Sequence, residues 1–329
     1  MNELKILIGR GNTFQDLSEM YTKVAWSGRK GAAPRTLEVT LFDSEQNKES
    51  RPKVNCEEGQ TCILYEGKTE LFRGLVMDEK RSSQNRTLTI KAYDNCIRLC
   101  NSKDSFSFKK KRADQIFKKC LSKCGVSYGG SVNTGHVIGE LVKRGTTYWD
   151  AIEDALSQTY ANTGKRYYVY ADKGKAYLKR RVEQKSMPTL ELSTNIESYE
   201  STRSIYNTRT RIVMRTSKGV TKGKYTNSSL EEKIGKFQEV ESVDEDITST
   251  EVNQRIKTFK EEKGIVSRSL KVTATGITSV ISGGCVYVIA GPEGLKRVMY
   301  VDADTHTWEN GKHTMSLTLN YAKDINKAR

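Results

Sequence analysis

The chain is poor in the residues that make hinges and in those that make catalysts. Only 4 of its 329 residues are proline, and no Gly/Ser- or Pro-rich stretch marks a flexible linker, so its domains are expected to abut. No run approaches the roughly 20 apolar residues of a membrane helix. The first apolar run, Ile6-Leu7-Ile8, is too short for the core of a signal peptide. A chain made in the cytosol, with no membrane partner, is the expectation. Three histidines, His136, His306 and His313, leave few general bases. There is no G-x-S-x-G elbow, no H-E-x-x-H and no Walker A sequence. Gly9-Arg-Gly11 lacks the third glycine of a dinucleotide loop, because Phe14 holds that position. The chain is therefore not expected to be an enzyme, and no catalytic, cofactor-binding or metal-binding residue and no cofactor is assigned.

The length implies two or three domains. Hydrophobic residues make up 36% and the mean hydropathy is −0.64, which supports several small cores rather than one large one. Seven cysteines, an odd number without a secretory signal, fit reduced thiols. The net charge of +15 is unevenly placed. Residues 1–108 carry 17 Lys/Arg against 15 Asp/Glu, residues 109–185 carry 17 against 7, and residues 186–329 carry 21 against 18. The surplus, including Lys109-Lys-Lys-Arg112 and Lys179-Arg-Arg181, marks the middle of the chain as a surface for an acidic partner or nucleic acid, or simply as a solvated face, which is the favoured reading of a charge run.

The first hundred residues read as strands. Leu37, Val39 and Leu41 alternate with polar neighbours, as do Leu88, Ile90 and Ala92. Cys62–Tyr65 and Leu71–Val76 flank the turn Glu66–Thr69, and Ser82–Asn85 marks another turn. From Ser107 the period changes. Ala113, Ile116, Phe117, Cys120, Leu121 and Cys124 form one helical face, stopped by Gly125. Trp149, Ile152, Leu156 and Tyr160 share a face of a second helix, with Thr147 and Asp150 at its start and Gly164 beyond its end. A hairpin follows around Asp172–Lys175. Beyond Met187 strands return, interrupted at about 218–263 by a helical insert in which Thr248 and Glu251 form a capping box and Val252, Ile256 and Phe259 a stripe. Strands resume at Leu270–Ala274, Val286–Ile289, Arg297–Val301 and Met315–Leu319, the last after an Asn310-Gly311 turn. The expected fold is β-rich α+β. A first antiparallel barrel (1–106) and a second (186–329), the latter carrying the insert, flank a small helix-plus-hairpin α/β domain (107–185).

Four side chains near the C-terminus invite a metal reading. Asp302, Asp304 and His306 alternate, so an extended segment would project them from one face toward His313. The competing reading, a polar strand edge, is favoured. Cys96/Cys100 and Cys120/Cys124 are spaced i, i+4, which is core packing rather than a zinc knuckle. Tyr167, Tyr168, Tyr170 and Tyr177 interleave with basic residues, the one support for nucleic-acid binding, yet alternating tyrosines are more often cross-strand packing.

These elements, in this order, resemble the XkdQ/YqbQ-type hub proteins of contractile phage tails, relatives of the late-control-D hubs and of the hub part of type VI secretion spikes. The resemblance is carried by Trp26-Ser-Gly28 with Pro34–Leu41, by Glu70–Val76 and Leu88–Asp94, by Arg112–Ile116 and Gly145–Ile152, and by His306–Leu317. It implies a baseplate hub, a homotrimer whose two tube-like barrels per chain make a six-part ring between tail tube and central spike. The implied partners are other copies of the chain, the tube protein, the spike protein and other baseplate or tape-measure proteins. The implied place is the tail baseplate of a phage, prophage or tailocin particle assembled in the host cytoplasm. Family hubs are not themselves enzymes, and no further domain is expected after Arg329. The alternatives are a nucleic-acid-binding module built on the basic middle unit, and a cell-wall hydrolase with unrecognised carboxylates.

Overall fold

The structure is a computed structural model and describes residues 3–32, 34–42, 54–181, 187–291 and 294–321. The expected boundary at 185/186 falls outside them. Seven strands open the chain: β1 (Leu4–Arg10), β2 (Thr13–Asp16), β3 (Tyr21–Arg29), β4 (Thr36–Phe42), β5 (Thr61–Glu66), β6 (Thr69–Ser82) and β7 (Thr87–Asp94). Their alternation is strict where one face is buried. In β4, Leu37, Val39 and Leu41 point into a core shared with Ile6, Ile8, Leu64, Leu88 and Ile90, while Glu38 is exposed.

The middle of the chain holds α1 (Ile97–Asn101), β8 (Lys103–Arg112), α2 (Ala113–Lys123), β9 (Ser127–Ser131), β10 (Val137–Thr147), α3 (Tyr148–Thr163), β11 (Tyr167–Asp172) and β12 (Lys175–Arg180). The expected helices and hairpin are present. Thr147 Oγ1 accepts from the Asp150 N–H and the Asp150 carboxylate accepts from the Thr147 N–H, both at 3.0 Å. Gly164 closes α3 at φ 65°. The hairpin turn places Lys173 and Gly174 at φ 47° and 76°, the backbone of a type I′ turn. Sequence periodicity gave no sign of β8, β9 and β10. In β8 only Phe106 and Phe108 are buried, and the strand runs across the 106/107 boundary to pair with β10.

The face of α3 differs from its expected role. Tyr148, Ala151, Ile152, Ala155 and Thr159 are the buried residues, packed toward α2 and the α/β core, because the small alanines permit close approach. Trp149 and Leu156 pack only partly against this core and, with Tyr160, also line a cleft between this unit and the outer sheet.

The last part comprises β13 (Thr189–Glu191), β14 (Ile196–Ser204), β15 (Arg211–Arg215), β16 (Thr221–Thr226), α4 (Ser228–Ile234), β17 (Gln238–Ser242), α5 (Ser249–Glu262), β18 (Ser267–Thr275), β19 (Cys285–Ala290), β20 (Leu295–Glu309) and β21 (Lys312–Asn320). The capping box of α5 forms as read, and Val252, Ile256 and Phe259 meet Ile212, Met214 and Val243. The insert is nevertheless not purely helical. β15, assigned from sequence to the barrel, pairs with β16 and in parallel with β17 to make a separate three-stranded sheet. The insertion therefore runs from 205 to 266, between β14 and β18, which pair directly from Ile196↔Ala274 to Ser204↔Ser267. Alternation inside β15 carries no label of the sheet it joins.

Two separate closed barrels are not what the outer strands build. They form one open 13-stranded sheet in the order β14-β18-β21-β20-β3-β4-β7-β6-β5-β1-β2, with β19 on β20 and β13 on β19. Among the described residues the terminal strands β2 and β14 do not meet, so no barrel closes. The reason lies in β20. Its first part pairs with β19 and its second part with β3 along the same edge, while β21 takes the other edge. β3 thus lies between β4 of its own unit and β20 of the other. No helix among the described residues is long and apolar enough to cross a membrane.

Candidate functional site

The outer halves meet where β3 and β20 pair, from Lys23↔Glu309 to Ala303↔Arg29, with Trp26 opposite His306 and Gly28 opposite Asp304. This joint is polar beneath its surface. Arg35, just before β4, extends its guanidinium across Gly28. Nη1 donates to Asp304 Oδ1 at 3.0 Å and Nη2 donates to Oδ2, with the side chains 9% and 0% exposed. The Ser282 N–H donates to Asp304 Oδ1 at 2.6 Å. A Cβ on residue 28 would lie 2.3 Å from Arg35 Nη1, so a larger residue there would push the guanidinium out of this position. The guanidinium carbon stands 4.1 Å from the Trp26 ring centroid, a cation–π contact in a desolvated place.

The backbone of Arg35 ties in a further group. Its N–H donates to Asp94 Oδ2 at 2.7 Å and the Cys96 N–H donates to Oδ1 at 2.8 Å. Burial pushes Asp94 up to about 6, although these donors and Arg35 pull it down. On the far side, His306 Nε2 lies 2.9 Å from the Val280 carbonyl. A carbonyl only accepts, so the neutral ring carries its proton there, and Nδ1 accepts from His313 Nε2 at 3.1 Å. Burial lowers His306, and burial followed by His306 lowers His313 to about 4. Trp308 stacks on His313 with centroids 4.1 Å apart.

The four side chains weighed as metal ligands therefore divide between two sets. A bulge between Val301 and Ala303 shifts the alternation of β20, so Asp304, His306 and Trp308 are buried while Asp302 falls out of phase. Asp302 instead accepts from Arg181 Nη2 at 2.7 Å and from Asn320 Nδ2 at 3.1 Å. Among the described residues no group of three or more His, Cys, Asp or Glu side chains is placed to hold a metal ion. Cys120 and Cys124 pack in or against the middle core, unbridged, and burial raises their thiols to about 12 and 11. Cys96 is buried beside Asp94, and burial raises its thiol too, with Cys100 packed nearby. Gly9 and Gly11 belong to the β1–β2 hairpin.

The basic middle unit is partly neutralised locally. Lys109 lies 3.3 Å from Glu140 across the β8–β10 ladder, and Arg112 Nε donates to Asp114 Oδ1 at 3.0 Å. Tyr170 and Tyr177 are a directly opposed, stacked pair with centroids 5.2 Å apart, and Lys179 covers Tyr170 at 4.5 Å. The interleaved tyrosines are cross-strand packing here. Sequence reasoning singled out neither Arg35 nor Ser282 as a working residue. Nothing in local pattern marks an arginine whose carboxylate lies 269 residues away. Three strands have a single strand partner among the described residues: β2 pairs with β1, β13 with β19, and β14 with β18, apart from a bridge between Ile196 and Leu192.

With this geometry in hand, comparison with known proteins is informative. The family profile described as YQBQ-like matches residues 24–320, which takes in the β3–β20 joint from Val24 onward. The phage-like element PBSX protein XkdQ of Bacillus subtilis is 36% identical over 90% of this chain and 91% of its own. The fold is also similar to a 43 kDa tail protein of prophage MuSo2 from Shewanella oneidensis, with a TM-score of 0.72 and 16% identity over 96% of each chain. A tail protein from Neisseria meningitidis gives 0.74 and 12%, covering 98% of this chain and 97% of its own. The recognition made from the ordered sequence elements is the one these likenesses support. The β-rich architecture is that of phage tail proteins, and the chain belongs to the YQBQ-like family.

Proposed function

We propose that this chain is a structural hub of a phage-tail or tail-like baseplate, in which three copies form a ring that joins the tail tube to the central spike. One observation carries the reading: two outer strand groups are fused edge to edge through β3 and β20, and among the described residues β2, β13 and β14 each have a strand neighbour on one side alone. A sheet with such edges invites pairing with another copy, and a closed cyclic arrangement covers them. Three chains, each contributing two strand groups, give six surfaces facing the axis and resolve the mismatch between a six-fold tube and a three-fold spike. The domain partition proposed with it is 1–106, 107–185 and 186–329, with the first boundary moved back to about residue 95 because Cys96, Leu99 and Phe106 pack in the middle core; the middle unit and the insert lie outside the ring. The Arg35–Asp304 pair serves this role by fixing the angle between neighbouring groups. Catalysis plays no part in it.

Sedimentation of the purified chain, alone and with tube and spike proteins of the same particle, tests the proposal. The expected species has three times the 37.2 kDa chain mass, and an antibody to the chain labels the distal tail tip. A chain that stays monomeric with both neighbours present, or label elsewhere on the particle, overturns it.

A further inference from the structure

Two cavities of about 400 and 670 Å³ meet at Lys30, Arg166 and Glu262, which line both. They adjoin there, with the Arg166–Glu262 ion pair between them, and are taken together as one groove lined by residues 29–32, α3, the insert and the end of β21. We propose that this groove binds an acidic peptide segment of a partner protein, one that alternates carboxylates with apolar side chains. The proposal does not depend on the ring.

Charge is the first argument. Lys30, Lys233, Arg268 and Arg297 line the groove and make no ion pair among the described residues. Lys30 is an exposed residue, yet partial desolvation, then Arg166, lowers it to about 8, and an incoming carboxylate would offset that repulsion. Unused donors are the second. The Nε atoms of Arg181 and Arg297 are buried without a hydrogen-bond partner. Arg181 spends Nη2 on Asp302 and Val301, and Arg297 stacks 5.0 Å from the Tyr321 ring. Arg297 itself is half-buried at the groove wall, and a guanidinium matches the fork geometry of a carboxylate. The groove also has an apolar wall: Trp149 and Leu156, half-buried at the edge of the middle core, line it with Tyr160 and Tyr168.

A uniformly charged polyanion fits less well. Glu153, Glu261 and Glu262 interrupt the cationic lining, so a continuous phosphate backbone would run past carboxylates, whereas spaced acidic side chains need not. The chain's own residues 322–329 hold Lys323, Lys327 and Arg329 against Asp324 and are the wrong sign.

Fluorescence anisotropy with the full chain tests this, using a labelled peptide that alternates glutamate with leucine and tryptophan. Saturable binding is expected that weakens with added salt and is lost when glutamine replaces glutamate. Lys233→Glu, on an exposed helix, and Arg297→Gln are each expected to weaken it roughly ten-fold. Should Arg297→Gln fail to fold, Lys233→Glu alone decides. Equal binding of the glutamine peptide, no effect of Lys233→Glu, absence of saturation, or tighter binding of a charge-matched single-stranded oligonucleotide overturns the proposal.

Discussion

Asp304→Asn is the sharpest test of the joint between the two strand groups. The substitution keeps the shape of the side chain and leaves the Arg35 guanidinium, 9% exposed, without its counter-ion. An uncompensated charge in such a place costs about 3–5 kcal/mol, whereas replacing both partners of a buried pair by apolar groups is often neutral. The single variant should therefore lose about 3–5 kcal/mol in urea unfolding, and Arg35→Met combined with Asp304→Leu should recover most of it. Trp26 and Trp308 lie in the same core cluster as this joint, so their fluorescence follows it directly. A double-mutant cycle should give a coupling above about 1.5 kcal/mol, since the groups are in contact and share Ser282. A loss below about 1 kcal/mol for Asp304→Asn, the value of an exposed pair, or two single effects that simply add, refutes the assignment of this pair as the clamp.

Gly28→Ala should destabilise by about 1–3 kcal/mol in the same assay, because its methyl would displace the Arg35 guanidinium; a neutral result would mean the guanidinium has another route to Asp304. His313 is held near 4 instead of 6.5, so the unfolded chain takes up its proton first and its contribution, intact above 6.5, is lost as pH falls toward 4. Asp94, raised from 3.8 to about 6, opposes this, because the folded chain takes up that proton first. Stability measured from pH 7 to 4 should thus fall less for His313→Gln than for the unaltered chain, and parallel profiles would exclude His313 as a titrating group. Native alkylation at pH 8 should be slow at Cys62 and Cys120, whose thiols burial raises to about 12; mass spectrometry showing labelling as fast as in denaturant would contradict that burial. Thr248→Ala should cost about 1 kcal/mol through loss of the α5 cap, and an unchanged helix by circular dichroism and melting would show the cap to be dispensable.

What could be read from sequence was what local chemistry decides. Thr147 with Asp150, Thr248 with Glu251 and the Asn310-Gly311 turn act over a few residues, and each formed as expected. Alternation in β4 and β7 likewise needs only a buried face. Partnership was not legible. Ile212 and Met214 alternate like any strand, and nothing in them says that β17 will pair in parallel beside them. The bulge at Val301/Ala303 leaves no mark in composition, so Asp302 and Asp304 read as one face when they serve different arginines. On α3 the large aromatics outweighed Ala151 and Ala155, though it is the alanines that allow the helix to settle on its core. The joint residues Trp26, Gly28 and Arg35 did fall within stretches that carried the family resemblance, yet without any sign of the work they do.

The pairing of β3 with β20 also bears on how the chain is made. Residues 21–29 leave the ribosome long before residues 295–309 exist, and until then one edge of β3 has no neighbour. A hydrophobic strand group with an open flank, waiting through most of translation, is a target for misassociation with nascent copies. Synthesis rate and chaperone supply, more than final stability, should therefore govern the yield of correctly folded chain.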